Sequence, residues 1–200
     1  MKKVGIVLLA AGNSRRYHGI KLLDYIQGKK MYMHILENAA TIHSNVKIMV
    51  TQYEEIKENA LEHGYEVVMN NEPELGISHS IHLGLEKALE IEPDLDAVLF
   101  SVCDQPYLTL GTIRHLLNLY EHSDKSLASV SYEGVLGNPC IIGKKYFKEL
   151  FELEGDVGGK KIIMKHLEDL LSIPIEDEKE LIDIDVRDDT GLIDIDVRED

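Results

Sequence analysis

The chain has 200 residues, 44% hydrophobic and 28% charged, with a formal net charge of −15 at pH 7. That composition is ordinary for a globular protein, and no apolar run reaches the roughly 18 residues of a membrane-spanning helix. The negative charge argues against nucleic acid as a partner, since a phosphate backbone would be repelled.

Strand-like and helix-like segments alternate along the chain. VGIVLLA (Val4–Ala10) reads as a buried first strand, too short and too quickly followed by basic residues for a signal peptide. Met31–Ile42 has helical spacing, Val46–Val50 is apolar and strand-like, and YEEIKENALEHG is a helix closed at Gly64. Tyr65–Met69 gives a third strand, Ile77–Glu90 an amphipathic helix for which Ser78 or Ser80 is a candidate cap, and Asp96–Val102 a fully apolar strand. Thr109–His122 is a helix with Thr109 as cap. Repeated β-α-β units with near-continuous apolar strands imply a parallel sheet covered by helices on both faces.

After Lys125 the pattern changes. Ser126–Tyr132 and Asn138–Gly143 are short strands joined by EGVLG, Tyr146–Leu150 and Lys160–Leu170 are helical, and SIPIE and the two LIDID runs read as late edge strands. The sheet is therefore mostly parallel with a mixed C-terminal edge. LIDIDVRDD at Leu181–Asp189 returns as LIDIDVRED at Leu192–Asp200, eight of nine positions being identical. No Pro- or Ser-rich linker is present, so residues 1–189 are read as one domain and 190–200 as a duplicated tail. Cys103 and Cys140 lie in different motifs, as expected of free thiols in the cytoplasm.

Charge is unevenly placed. Glu176–Asp200 holds twelve acids and three bases, while Arg15, Arg16, Lys21, Lys29 and Lys30 gather near the start. An anionic ligand near the N-terminal segment and a cation held by acids would both suit this asymmetry.

Ligands of open α/β sheets bind beyond the carboxyl ends of the strands, which directs attention to AAGNSRRYHGIK, TQY, NNEPELG and CDQPYL, directly after Ala10, Val50, Met69 and Val102, with the LIDID run considered beside them. In LAAGNSRRYHGIK the small residues Ala10, Ala11 and Gly12 leave the backbone open, Ser14 can join an anion-binding nest, and Arg16 and Lys21 add charge suited to phosphate. A solvated basic turn is the competing reading. The loop lacks the Gly and Lys spacing of a Walker A or dinucleotide fingerprint. In FSVCDQPYL, Asp104 directly follows a buried strand and can hold Mg²⁺, which takes one or two carboxylates plus phosphate oxygens, or can simply make an Asp-x-Pro turn. Cys103 has no evident base beside it and reads as packing. In NNEPELGISHSIHLGL, helix capping competes with ligand contact, and His79 and His82 read as surface. In LIDID, alternation puts Asp183 and Asp185 on one face, where two carboxylates are either solvated or shared by a cation.

Together LAAGNSRRYHGIK, GISHSIHLGL, CDQPYL, GNPCII, GDVGGKK and DIDVRDD resemble, in order, the motifs of the molybdenum cofactor cytidylyltransferase-like family of nucleotidyltransferases. The resemblance implies a Rossmann-like three-layer α/β sandwich. It implies an enzyme that transfers CMP from CTP, or the nucleotide of another NTP, to the terminal phosphate of molybdopterin and releases pyrophosphate, with Mg²⁺ as cofactor and a molybdenum hydroxylase as client. On matching positions it implies nucleotide contacts along Leu9, Ala10, Ala11, Gly12 and Asn13. Ser14, Arg16 and Lys21 would hold the triphosphate, and Asn70 and Ser80 would lie close to the nucleotide. Asp104 would bind Mg²⁺, completed by a carboxylate of the first DID, Asp185 in preference to Asp183. Related guanylyltransferases carry LAGG and lack the GMSxS helix start, so LAAG and GISHS favour CTP over GTP. His18 stands where the family has Gly, Lys160 where it has Arg, and Val186-Arg187 where it has Thr-Pro. If the first loop needs a positive φ there, either His18 adopts it under strain or Gly19 takes the role. A sugar or alcohol phosphate acceptor, and a non-catalytic cofactor-binding module, are the alternatives.

Overall fold

The computed structural model describes residues 2–13, 17 and 19–184, together with the backbone of 186–187 and 193–194. Strand β1 (Val4–Ala10) sends Ile6, Leu8 and Ala10 into one apolar layer and Val7 and Leu9 into the other. This two-sided burial explains its unbroken apolar sequence. A short ribbon, β2 (Tyr25–Ile26) and β3 (Lys29–Lys30), leads into helix α1 (Met31–Ala40). Then follow β4 (Lys47–Thr51), α2 (Glu54–Glu62), β5 (Glu66–Met69), α3 (Ile77–Ile91), β6 (Ala97–Val102) and α4 (Leu110–Glu121). The C-terminal part holds β7 (Leu127–Tyr132), β8 (Val135–Gly143), α5 (Phe147–Phe151), α6 (Lys160–Lys165) and β9 (Leu170–Pro174).

The sheet order is β5-β4-β1-β6-β8-β7-β9. Strands β5, β4, β1 and β6 are parallel, β8 runs antiparallel to both β6 and β7, and β9 is parallel to β7. Helices α1, α2 and α4 bury Leu36, Ile56 and Leu116 on one face, and α3, α5 and α6 bury Leu85, Leu150 and Ile163 on the other. This is the Rossmann-like three-layer sandwich with a mixed C-terminal edge. Each such side chain contributes about 1.5–3 kcal/mol on full burial. Helix α3 lies so close to β1 that a Cβ on Gly84 would come 2.5 Å from Val7 Cγ1. Among the described residues no helix is long and apolar enough to cross a membrane.

Several details differ from expectation. Strand β8 starts at Val135, leaving Glu133 and Gly134 as the whole turn, both with positive φ (48° and 88°). That geometry is the tight hairpin turn that matches strand twist, but Glu rarely accepts it, so the sequence hid it. The helix expected to run to Leu170 stops at Lys165, and Leu170 already begins β9. The Thr109 cap is present, its Oγ1 accepting from Thr112 N at 3.1 Å. At α3 neither serine caps: the N-cap is Gly76, with no side-chain cap hydrogen bond.

Among the described residues, neither LIDID run joins the main sheet. The first follows a 3-10 turn (Glu178–Leu181) and crosses toward the end of β6. Beyond it β10 (Val186–Arg187) and β11 (Ile193–Asp194) pair antiparallel with each other, first copy against second.

Candidate active site

The order of strands reverses at β1 and β6. The chain steps outward from β1 through β4 to β5, then returns to place β6 on the opposite side of β1. The crevice beyond this switch point is where such sheets bind ligands. It is bounded by the segments after β1 and β6.

The first segment is propped by the residues that follow β4. Thr51 Oγ1 donates to Ala10 O at 3.1 Å, and Gln52 Nε2 donates to Ala11 O at 3.0 Å and to Asn13 Oδ1 at 3.1 Å. Tyr53 OH donates to Gly12 O at 2.8 Å. The carbonyl side of the Leu9–Asn13 loop is thus fixed to the scaffold before any ligand arrives. Gln52 and Tyr53 were not singled out from sequence, although TQY met the strand-end criterion. Gly19 does take a positive φ, 135°. Ser14, Arg15, Arg16 and His18 lie outside the described residues.

Of the other cations near the start, Lys29 pairs with Glu37 and Lys30 with Glu55, so both are matched by carboxylates of the scaffold. Lys21 instead reaches the second segment. Its Nζ lies 2.7 Å from Asp104 Oδ2, with only 10% of the lysine and 17% of the aspartate side chain exposed. The other oxygen, Asp104 Oδ1, is buried and has no hydrogen-bond partner among the described residues. An ionised carboxylate oxygen in that state carries a penalty of about 1–3 kcal/mol or more. A hard divalent cation is the ligand such an oxygen fits. The two residues, 83 positions apart, therefore form one charged unit at the switch point.

Asn70 and Ser80 are also brought together, but with each other. Asn70 Nδ2 donates to Ser80 Oγ at 3.0 Å and Asn70 Oδ1 accepts from Glu72 N at 2.9 Å, while the two residues are 1% and 5% exposed. Their geometry makes them a bracket for the loop before α3. That loop touches the GDVGG segment: Ser78 N donates to Gly155 O at 3.1 Å. His82 turns away, with Nε2 2.8 Å from Leu150 O.

The C-terminal segment closes the other side. Gln105 Nε2 donates to Asp183 Oδ1 at 2.9 Å and to Leu181 O at 3.2 Å, and Ile184 N donates to Asp104 O at 3.0 Å. Glu180, 9% exposed, accepts from Thr109 N at 2.9 Å. The first LIDID copy therefore docks on the CDQP loop, with Ile182 and Ile184 buried as alternation required. Asp185 lies outside the described residues. Beside Asp104 opens a cleft of about 510 Å³ lined by Gln105, Gly137, Asn138, Lys160, Glu178 and Asp183 among others. Both thiols are inert by burial: Cys140 is pushed up to about 12, and Cys103 well above its ordinary value, with the Asp104 charge adding to the effect.

Residues 6–170 match the MobA-like NTP transferase domain. The chain is 31% identical over 140 residues to a molybdenum cofactor guanylyltransferase from Histophilus somni, covering 69% of this chain and 67% of that protein. It is 29% identical over 133 residues to a 3-deoxy-manno-octulosonate cytidylyltransferase from Brucella canis, covering 66% and 52%. A nucleotidyl transferase from Methanothermobacter thermautotroptrophicus has the same fold, with a TM-score of 0.76 at 21% identity over 93% of each chain. The chain therefore belongs to the MobA-like NTP transferase family.

Proposed function

We propose that this nucleotidyltransferase moves CMP from CTP to the terminal phosphate of molybdopterin and releases pyrophosphate. The observation that carries the reading is the Asp104 carboxylate at the switch point, one oxygen on Lys21 and the other without a partner among the described residues, beside a cleft able to take a second substrate. The bond that forms joins an acceptor phosphate oxygen to the α-phosphorus, and the bond that breaks releases the β- and γ-phosphates together. No activated Ser or Cys is needed, in agreement with the two inert thiols.

In this reading the Leu9–Asn13 backbone faces the nucleotide, and Ser14, Arg16 and Lys21 hold the triphosphate. Positioning and neutralisation of charge are what phosphoryl-type transfer requires from a protein. Asp104, completed by Asp185 of the first DID, would hold Mg²⁺, which when bound neutralises phosphate oxygens and the developing pyrophosphate. Asn70 and Ser80 contribute by fixing the loop before α3. Residues 1–189 act as the domain, in the cytoplasm, with a molybdenum hydroxylase receiving the product.

CTP is favoured by LAAG and GISHS. Ala11 is 5% exposed and adds a methyl group where the guanylyltransferase pattern has glycine, leaving less room for a purine. GTP is the second reading, favoured by the 31% identity to a protein named as a guanylyltransferase. Purified protein with Mg²⁺, molybdopterin and each nucleoside triphosphate in turn tests both by pyrophosphate release. CTP should give the fastest release. A GTP preference replaces the cytidylyl reading, release only with sugar or alcohol phosphates replaces the acceptor, and no release with any combination ends the proposal.

A further inference from the structure

We propose that Gln105 is a positioning residue of this site, acting through the carboxylate of Asp183. The inference deepens the nucleotidyl-transfer reading and rests on it.

Gln105 is 3% exposed and sits between Asp104 and Pro106. Its amide nitrogen faces two acceptors, Asp183 Oδ1 at 2.9 Å and Leu181 O at 3.2 Å. That fixes the amide orientation, because the flipped form would set an oxygen against two oxygens. The price is Oε1, which is buried and has no hydrogen-bond partner among the described residues. A buried unpartnered amide oxygen costs about 1–3 kcal/mol. A residue needed only to fill the space would be more stable as a leucine or methionine, so the use of Gln105 lies in its two donors.

Those donors are unequal in consequence. The segment is already docked without Gln105. Glu180 accepts from Thr109 N, Ile184 N donates to Asp104 O, and Leu181 lies so near Gly137 that a Cβ there would come 2.7 Å from Leu181 Cδ2. What Gln105 adds is a charge-assisted hydrogen bond to Asp183, of a kind roughly twice as strong as a neutral one. Asp183 and Gln105 both line the cleft, and the residue after Asp183 is tied to the main chain of Asp104. Gln105 therefore sets the angle at which the Asp183 carboxylate, the neighbour of the Asp185 assigned above, would face a cation held by Asp104. Outer partners of this kind typically change metal affinity or turnover by about 10–100-fold when removed.

The test is a double-mutant cycle. Gln105→Met and Gln105→Leu keep bulk without hydrogen bonds, and each is combined with Asp183→Asn. Mn²⁺ affinity is read by electron paramagnetic resonance, with the metal alone and with CTP, alongside kcat and KM for pyrophosphate release and the melting temperature. Each Gln105 variant should lose about 10–100-fold in Mn²⁺ affinity or kcat. Adding it to Asp183→Asn should then change nothing further, since partners in one network are non-additive. Multiplying losses, or a change confined to melting temperature, would overturn the role. If one Gln105 variant fails to fold, the other completes the cycle. A wild-type protein that binds Mn²⁺ but releases no pyrophosphate would refute nucleotidyl transfer, while the Mn²⁺ cycle would still decide on Gln105.

Discussion

Gly76 offers the most demanding check on the packing around the site. It begins α3 with φ 86° and ψ −177°, a conformation confined almost wholly to glycine. A Cβ built there would lie 2.3 Å from Gly155 C, 2.4 Å from Gly155 O and 2.7 Å from Asp156 N. These are backbone atoms and cannot rotate aside. Gly76→Ala must hold a strained φ, at about 1–3 kcal/mol, and also push the GDVGG segment away, breaking the Ser78 N to Gly155 O bond, worth about 1 kcal/mol. Together these give about 2–4 kcal/mol. For a chain of this size, at about 2–4 °C per kcal/mol, the melting temperature should fall by roughly 4–16 °C. Thermal unfolding followed by circular dichroism measures it, with Gly12→Ala as control. A Cβ on Gly12 meets nothing within 4 Å among the described residues, so that variant should melt within about 1–2 °C of wild type. Its loss should appear in nucleotide KM instead, because the methyl group stands on the loop assigned to the nucleotide. Gly76→Ala should also raise KM for the acceptor, since the displaced segment leads directly into Lys160 at the cleft. A Gly76→Ala protein melting within about 2 °C of wild type would refute the reasoning.

Asp104→Asn keeps an acceptor for Lys21 and removes the charge, so steady-state kinetics should show turnover falling by about 10²–10³ with little change in melting; retained turnover would remove Asp104 from the reaction. Burial alone would raise the Asp169 carboxyl, but Lys145, Ser126 N and Tyr146 outweigh it and hold it below its ordinary 3.8. Its contribution to stability is thus complete above about pH 4 and lost as pH falls further, and chemical denaturation of wild type and Asp169→Asn should show a gap that closes below pH 4. Cys103 and Cys140, both buried with raised thiols, should resist a disulfide reagent at pH 8 in the folded protein and react together on unfolding. Deleting Thr190–Asp200 removes β11 but leaves the docked Glu180–Ile184 segment, so pyrophosphate release should persist.

The layers were legible because they depend on local pattern. A strand buried on both faces is apolar almost throughout, as β1 is and as β6 is apart from Ser101. The strand-end rule also found Asp104 and the LAAG loop. What the sequence could not show is pairing at a distance. Lys21 was expected on phosphate and Asp104 on a metal, yet they meet each other, and the two expectations coexist only if a ligand separates or bridges the pair. Asn70 and Ser80 suited a polar ligand equally well as residue types. Only their mutual burial shows that they bracket a loop. Gln105 lay inside a quoted motif, but a glutamine before proline carries no sign of its partner 78 residues away.

The doubled LIDIDVR shows how little separates two readings of one chain. The copies are alike from Leu181 and Leu192 onward, but Glu180, which accepts from Thr109 N, has Gly191 as its counterpart, so the first copy alone carries that docking residue. Tether length favours the same copy. Six residues separate the end of β9 at Pro174 from Leu181, and seventeen separate it from Leu192. Closing the longer loop costs more entropy by about 1 kcal/mol, a several-fold preference for the first copy. That preference is reinforced where Leu181 meets Gly137 and Ile184 meets Asp104, contacts made by the first copy. The second copy then finds a different use for the same sequence, pairing Ile193–Asp194 against Val186–Arg187. An edge that the first copy would otherwise leave open is covered by its own repeat. Loop entropy and strand pairing together thus account for the different places that the two copies take in the fold.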